Sequence, residues 1–258
     1  MTDVSTLFDL TGKVAIVTGS TKGIGRAMVE GLAAAGASVV VSSRKQDLCD
    51  RVATEVAEAT GQEAIGVACH MGDWDAITAL VDTVHERFGR IDVAVNNAAI
   101  TPARDPIATI GRDIWQKIFQ VNVEGPLHMA QCVAPVMRDG GGGSIVNIAS
   151  MAGYSGGSLV CAYGASKAAL INMTKTMSQE FAPWNVRVNA LSPGPFVSEM
   201  TSGADRHAPG FFDMVAEGTL LKRVADPSEI VGPVLYLASD ASSFVTGDDL
   251  SVSGGMMK

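Results

Sequence analysis

The sequence contains little of several things that would point to a function on their own. Its 258 residues include only four cysteines and four histidines. No two cysteines form a Cys-x-x-Cys pair and the histidines are scattered, so the spacing predicts no metal site. No apolar run reaches the ~18 residues that a membrane span needs, and no basic and apolar leader opens the chain. We therefore expect a soluble, cytoplasmic protein that does not bind membranes.

Basic residues are scarce as well. The chain has 19 Lys and Arg residues against 27 Asp and Glu residues, a net charge of −8, and no basic tract. Nucleic acids attract positively charged surfaces through their phosphates, so this composition argues against a nucleic-acid partner. The hydrophobic content of 47% is enough to form one large core. We expect a single domain over residues 1–258.

Short apolar runs rich in β-branched residues alternate with longer amphipathic stretches. The runs are almost continuously apolar, as in strands that are buried on both faces of a sheet. This alternation predicts an α/β fold with a doubly wound parallel sheet of seven strands, flanked by helices. The predicted strands are 13–18, 38–42, 64–68, 91–96, 144–149, 187–191 and 250–252, and the predicted helices are 24–35, 45–59, 74–88, 112–138, 163–181 and 227–238.

One long stretch, about 194–225, shows no clear periodicity. It contains glycine and proline together with several large apolar side chains. A long irregular segment directly after a strand is more often functional than idle. We interpret it as an apolar lid over the crevice at the carboxyl ends of the strands.

A glycine-rich turn follows the first predicted strand and opens the first helix. Its sequence is Thr18-Gly19-Ser20-Thr21-Lys22-Gly23-Ile24-Gly25. Glycines at such a junction allow a tight turn and a close approach to a pyrophosphate, which the free N–H groups of the helix then face. The turn is a weak signal alone, but the strand–helix context is the one that dinucleotide binding requires. The predicted contacts in this turn are Gly19, Thr21, Lys22, Gly23, Ile24 and Gly25.

Tyr163 and Lys167 are four residues apart on a predicted helix and therefore share one face. A free tyrosine has a pKa near about 10. A cation beside it favours the phenolate and lowers that pKa, which would let the tyrosine exchange a proton with an alcohol or carbonyl oxygen. On spacing alone, a buried tyrosine next to a surface lysine is the commoner explanation. Ser150, thirteen residues before the tyrosine, and the glycine turn shift the interpretation to a catalytic site.

In this order and spacing, the motifs resemble those of the short-chain dehydrogenase/reductase family over about residues 10–255. The resemblance implies a Rossmann-like fold and hydride transfer between a nicotinamide cofactor and a carbonyl or secondary-alcohol substrate. The matching motifs are Thr18–Gly25, Asn96-Asn97-Ala98-Ala99, Asn122, Ser150, Tyr163–Lys167 and Pro193-Gly194.

The resemblance also implies the catalytic residues. Ser150 would bind the substrate oxygen, and Tyr163 would give or take the proton. Lys167 would lower the pKa of Tyr163 and bind the ribose of the cofactor, while Asn122 would support a water that links Lys167 to solvent. Negative charge that develops on a carbonyl oxygen would then meet two O–H donors.

The end of the second strand bears on the choice of cofactor. NAD-preferring members of the family usually have an acidic residue there, whereas this chain has Ser43 followed by Arg44. A guanidinium can bind a 2′-phosphate that a carboxylate would repel, and Lys22 could reach the same phosphate. We therefore expect NADP(H) to be favoured over NAD(H). The other cofactor contacts that the resemblance implies are Met71, Asn97, Ala98, Ala99, Tyr163, Lys167, Pro193, Gly194, Phe196 and Ser198.

The substrate is expected to be a small, moderately apolar carbonyl compound or alcohol, and the resemblance implies a homotetramer or homodimer. One alternative is an NAD-dependent secondary-alcohol dehydrogenase of the same family. Enoyl reduction is disfavoured, because family members of that kind usually separate the tyrosine and lysine by six residues. A non-catalytic dinucleotide-binding or sensing protein is disfavoured by the intact catalytic set. The predicted substrate pocket comprises Met151, Tyr154, Val160, Met200 and Phe211.

Overall fold

A parallel sheet forms the centre of the computed structural model, which describes residues 6–101, 106–197 and 210–256. Its seven strands pair in the order β3-β2-β1-β4-β5-β6-β7, and every pairing is parallel. This confirms the predicted doubly wound, Rossmann-like α/β fold. In chain order the strands are β1 (Val14–Thr18), β2 (Ser38–Ser43), β3 (Ala64–Ala68), β4 (Val93–Asn96), β5 (Gly143–Ile148), β6 (Val186–Pro193) and β7 (Asp249–Val252).

The strand order reverses between β1 and β4, because successive strands from β1 to β3 extend one edge of the sheet and later strands extend the other. Ligands of such sheets bind at this switch point, outside the carboxyl ends of the strands. The helices in the described residues are α1 (Gly23–Ala34), α2 (Gln46–Thr60), α3 (Trp74–Phe88), α4 (Arg112–Phe119), α5 (Gly125–Asp139), α6 (Cys161–Phe181), α7 (Phe211–Glu217) and α8 (Val231–Ala238).

Two apolar layers cover the two faces of the sheet. On one face, Ala15 and Val17 of β1 pack with residues of α1, α2 and α8. On the other face, Val14 and Ile16 of the same strand pack with residues of α3, α5 and α6. Because side chains alternate between the faces of a strand, a strand that is buried on both faces must be apolar at every position.

The predicted helix over 112–138 is interrupted. A π-helical segment, Gln120–Glu124, separates α4 from α5 and contains Asn122. π-helical turns inside α-helices are frequent at functional sites. The predicted helix over 227–238 likewise begins as a 3₁₀ turn, Pro227–Ile230, before α8.

The interpretation of 194–225 as an irregular segment was wrong for residues 211–217, which form α7. The two ends of the 194–225 segment are held together by an isolated parallel β-bridge between Phe196 and Ala225. The backbone N–H of Val197 donates to the Ala225 carbonyl at 2.9 Å, and the Ala225 N–H donates to the Pro195 carbonyl at 2.9 Å. Residues 198–209 of the proposed lid lie outside the described residues.

Among the helices of the described residues, none has the length and apolar character that crossing a membrane requires.

Candidate active site

The glycine-rich turn between β1 and α1 is held from two sides by side chains. The Ser20 hydroxyl donates to the Val17 carbonyl at 2.7 Å and accepts from the Ser42 N–H at 3.1 Å. The Asn97 amide nitrogen donates to the carbonyls of Thr18 and Gly19, at 2.8 and 3.1 Å. The Asn97 side chain therefore holds the glycine turn in shape. The sequence analysis predicted Asn97 only as a contact to the cofactor.

Two glycines of the turn, Gly19 and Gly25, lie so close to neighbouring atoms that a side chain would not fit at either position. Gly19 has a φ of +67°, and a Cβ there would lie 2.9 Å from the Ala98 Cα. A Cβ on Gly25 would lie 2.3 Å from the Gly19 carbonyl oxygen. In the described residues, no side chain caps the N-terminus of α1, so its first N–H groups are available to an anion. These features fit the pyrophosphate of a dinucleotide.

A cavity of about 590 Å³ extends along the carboxyl ends of the strands, and its volume is in the usual range of ligand sites. Ser198 lies outside the described residues. The remaining predicted cofactor contacts all line this cavity: Gly19, Thr21, Lys22, Gly23, Ile24, Gly25, Ser43, Arg44, Met71, Asn97, Ala98, Ala99, Tyr163, Lys167, Pro193, Gly194 and Phe196.

The cavity wall also includes polar residues that were not among the predicted contacts, such as His70, Thr101 and Lys117. His70 and Thr101 follow the carboxyl ends of β3 and β4, the position where ligand contacts are expected in this fold, and that position was the available signal. Lys117 lies on α4, and no motif in the sequence points to it.

Three of the four predicted catalytic residues, Ser150, Tyr163 and Lys167, line one end of the cavity. Lys167 is 2% exposed, and its Nζ donates to the Ile148 carbonyl at 2.7 Å. The same Nζ lies 5.7 Å from the centroid of the Tyr163 ring. Ser150 accepts a hydrogen bond from the Ala152 N–H at 3.2 Å, which leaves its own O–H as a donor.

The pKa of Tyr163 differs in direction from the prediction. Burial raises the pKa of the Tyr163 phenol above its ordinary value, and a hydrogen bond with the Ser150 side chain opposes this shift. Burial lowers the pKa of Lys167 to about 7, because the ammonium loses its hydration. Desolvation therefore sets the direction of the shift in the pKa of Tyr163, and residue spacing alone does not reveal how strongly a group is desolvated.

Asn122 is completely buried and fixes the position of its surroundings through its amide. Its Oδ1 accepts from the Ile100 N–H at 2.9 Å, and its Nδ2 donates to the Ile100 carbonyl at 3.0 Å and to the Ser166 hydroxyl at 3.1 Å. The Ser166 hydroxyl in turn donates to the Tyr163 carbonyl at 2.7 Å. Asn122 therefore links the loop after β4 to the first turns of α6, which carry Tyr163.

Of the predicted substrate-pocket residues, Met151, Tyr154 and Val160 have described side chains, and none of these three lines the 590 Å³ cavity. Met151 is buried and begins the 3₁₀ turn that follows β5. Tyr154 and Val160 line a second cavity of about 670 Å³ whose wall also includes Pro106, Ile107 and residues of α6 other than Tyr163 and Lys167. Met200 lies outside the described residues. Phe211 begins α7, and its side chain also lies outside the described part of the chain.

Within the described ranges, no group of three or more His, Cys, Asp or Glu side chains comes together in a way that could hold a metal ion.

Lys167→Met is expected to flatten the pH dependence of stability. The unfolded chain keeps the Lys167 proton up to the ordinary pKa of 10.5, whereas the folded protein releases it near 7, so folding gains free energy as pH rises between these values. From pH 7 to pH 8.5, this group raises the free energy of unfolding by roughly 1.5 kcal/mol. Urea unfolding at several pH values in that window measures the slope.

The pH range of this measurement ends at 8.5, below the ordinary thiol pKa of 9.0. Burial raises the pKa of Cys69 to about 12, so above pH 9 this thiol lowers the free energy of unfolding as pH rises and would mask the effect of Lys167. Lys175→Met, an exposed lysine on the same helix, is the matched control and keeps the wild-type slope. An unchanged slope in Lys167→Met would show that the buried amine does not titrate in this range.

Comparison with known proteins agrees with the geometry. A family model described as enoyl-(acyl carrier protein) reductase matches residues 19–257. The short-chain dehydrogenase/reductase SDRA of Arabidopsis thaliana is 38% identical over 251 residues, which cover 96% of this chain and 95% of that protein. The chain belongs to the short-chain dehydrogenase/reductase family. This is a family of oxidoreductases that bind a nicotinamide dinucleotide.

Solved structures of the family are similar over almost the whole chain. A gluconate 5-dehydrogenase from Burkholderia cenocepacia J2315, in complex with NADP and tartrate, has a TM-score of 0.93 and 32% identity, and 98% of each chain is covered. A 7α-hydroxysteroid dehydrogenase complexed with NADH and 7-oxo glycochenodeoxycholic acid also has a TM-score of 0.93, with 31% identity over 100% of this chain and 98% of that one. The two neighbours therefore differ in cofactor and in substrate.

Proposed function

We propose that this protein is an NADP(H)-dependent oxidoreductase that interconverts a carbonyl compound and a secondary alcohol. The observation that carries the proposal is the single cavity with the glycine turn and Arg44 at one end and Ser150, Tyr163 and Lys167 at the other. When bound, the nicotinamide cofactor supplies or accepts the hydride. The chain's own groups bind the reacting oxygen and move its proton.

The proton chemistry follows from the protonation states of the site. A phenol whose pKa is raised stays neutral near pH 7, which is the form that can donate a proton to an oxygen that gains negative charge. The Ser150 O–H is a second donor to that oxygen, because the hydrogen bond from the Ala152 N–H uses only an acceptor lone pair of the hydroxyl. In the oxidation direction, a protonated Lys167 stabilises the phenolate that must accept the proton.

A second candidate is enoyl reduction, which the description of the matching family model favours. The four-residue spacing of Tyr163 and Lys167 supports the carbonyl reaction instead. Nicotinamide absorbance with a panel of ketones, secondary alcohols and α,β-unsaturated thioesters, each with NADPH and NADH, separates the two. Turnover confined to the unsaturated thioesters would overturn the carbonyl proposal, and cofactor binding without any turnover would support a sensing role.

The proposed preference for NADP(H) rests on two residues at and just after the carboxyl end of β2. Ser43 and the exposed Arg44 both line the cavity. A guanidinium–phosphate bond contributes about 1.5–3 kcal/mol, or roughly 10- to 100-fold in affinity. Because the two structural neighbours hold different cofactors, the proposal depends on these residues rather than on the comparison.

Arg44→Ala is expected to lower kcat/KM for NADPH by about 10- to 100-fold and to leave that for NADH within about twofold. Steady-state kinetics with both cofactors measures this difference. Arg51→Ala, an exposed arginine on α2, is the matched control and should leave both values unchanged. Equal losses with both cofactors, or a wild-type enzyme that is equally efficient with NADH, would contradict the role of Arg44.

Assembly as a homotetramer or homodimer and a cytoplasmic location remain predictions that follow from the family resemblance and the sequence.

A further inference from the structure

A carboxylate on the last strand joins two segments that flank the candidate active site. The Tyr154 hydroxyl donates to Oδ2 of Asp249, and the Ser192 hydroxyl donates to the same oxygen at 2.9 Å. The three residues lie on three different elements: Tyr154 on the turn after β5, Ser192 in β6 and Asp249 at the start of β7. Tyr154 and Asp249 are 95 residues apart in the sequence, so this contact depends on the tertiary fold.

The Asp249 carboxylate is committed to these two hydroxyls. Its Oδ1 is buried and accepts no hydrogen bond from any described residue. No Lys, Arg or His in the described ranges forms an ion pair with it. Hydrogen bonds to a charged acceptor are about twice as strong as neutral ones. Burial and the bond to Asp249 also raise the pKa of the Tyr154 phenol, which therefore stays a donor.

The tyrosine end of this contact is directly coupled to Ser150. Ser150 caps a single 3₁₀ turn, Met151–Gly153, and Tyr154 ends it. The Gly153 N–H donates to the Ser150 carbonyl at 2.9 Å, and the Tyr154 N–H donates to the Met151 carbonyl at 3.0 Å. A turn this short transmits a displacement of one end to the other, because its ends share these bonds.

The serine end lies beside the part of the cavity wall that follows β6. Ser192 is completely buried and immediately precedes Pro193 and Gly194, which line the cavity. The Gly194 N–H donates to the Val252 carbonyl of β7 at 2.9 Å. The carboxylate therefore sets the distance between the turn that carries Ser150 and the corner formed by Pro193 and Gly194.

We propose that Tyr154, Asp249 and Ser192 form a latch that positions the Ser150 hydroxyl for the substrate oxygen, with Tyr154 and Asp249 as positioning residues. The Tyr154 hydroxyl is engaged by Asp249, and the Tyr154 side chain lines the second cavity rather than the large one. The kinetic part of this inference rests on the proposed carbonyl–alcohol activity. The structural part does not.

Hydrogen exchange tests the structural part without activity. Tyr154→Phe removes the latch hydroxyl and keeps the ring. The backbone amide hydrogens of residues 153 and 154 should then exchange with solvent at least about tenfold faster. Tyr236→Phe removes a hydroxyl on α8, away from the site, and should leave these rates unchanged. Unchanged exchange in Tyr154→Phe would overturn the latch, whether or not the wild-type protein turns over ketones.

A double-mutant cycle with Ser150 tests the kinetic part. Tyr154→Phe should lower kcat about tenfold with little change in KM for the cofactor, and it should have no further effect in a Ser150→Ala background. An equal loss in both backgrounds would overturn the positioning role, since Tyr154 would then not act through Ser150. A lower melting temperature with normal kcat would also overturn it and leave a purely structural contact.

The acceptor can be varied as well. Asp249→Asn keeps an oxygen that accepts from both hydroxyls and should retain kcat within about threefold, whereas Asp249→Leu should lose as much as Tyr154→Phe. If Asp249→Leu does not fold, the contrast between Asp249→Asn and Tyr154→Phe still decides the matter. A tenfold loss in Asp249→Asn would contradict a latch that needs only an acceptor.

Discussion

Tyr163→Phe is expected to lower kcat by about 10³-fold, the usual contribution of a positioned general acid or base. The substitution removes one oxygen and keeps the ring that is buried in α6. Phenylalanine cannot give a proton to the reacting oxygen, while the turn that carries Gly19 and Gly25 is untouched. Cofactor affinity should therefore stay within about twofold of the wild-type value, so the loss belongs to the chemical step.

Single-turnover absorbance measures the chemical step, and titration of NADPH fluorescence measures the affinity. Tyr236→Phe is the matched control, because it makes the same chemical change on α8 and should retain full activity. Retained turnover in Tyr163→Phe would refute the proton-transfer role of the phenol. A parallel loss of cofactor affinity would instead indicate that the hydroxyl helps to hold the cofactor.

Gly25→Ala is expected to weaken cofactor binding at least about tenfold and to lower the free energy of unfolding by about 1–3 kcal/mol. An added Cβ would lie 2.3 Å from the Gly19 carbonyl oxygen and 2.5 Å from Nδ2 of Asn97. These two atoms are hydrogen-bonded to one another, and both shape the turn. The methyl group can be accommodated only if the turn opens, which moves the N–H groups that face the pyrophosphate.

Gly232→Ala is the matched control for this prediction. Both glycines lie in helices, and neither has a positive φ, but a Cβ at position 232 meets nothing within 4 Å. The control should bind cofactor normally and gain up to about 1 kcal/mol from the higher helix propensity of alanine. Urea unfolding and cofactor titration measure both effects. Normal binding by Gly25→Ala would show that the turn tolerates a wider geometry.

The predicted strands and most predicted helices are confirmed, because burial on both faces forces a strand to be apolar and amphipathic periodicity marks a helix that covers a sheet. The parallel orientation of the strands also follows from the βα alternation, whereas the strand order was not predicted. The π-helical turn at Gln120–Glu124 could not be predicted, since its residues are compatible with a continuous helix. Its shape follows from tertiary bonds, such as those of Asn122 to Ile100 and Ser166.

The candidate site was predictable to the extent that it is made of motifs. The glycine turn, Ser150, Tyr163 and Lys167 were assigned by position, and the structure brings them to one cavity. Desolvation depends on what surrounds a group, so the raised pKa of Tyr163 could not be deduced from the proximity of Lys167. The hydrogen bond of Tyr154 to Asp249 joins residues without a recognisable motif, and neither residue alone suggests it.

The polar contacts that build the site span long stretches of sequence, and this has a consequence for how the protein acquires its native state. Asn97 bonds to Thr18 across 79 residues, and Asn122 bonds to Ser166 across 44. Contacts of this kind are made late, because their loop-closure entropy must be overcome before they contribute. A nascent chain that has completed only β1 to β3 therefore has the glycine turn but not the asparagine that shapes it. We therefore expect a chain in which β4 and α6 have not yet docked to expose apolar strand edges and to bind the cofactor weakly, because its glycine turn is not yet shaped by Asn97.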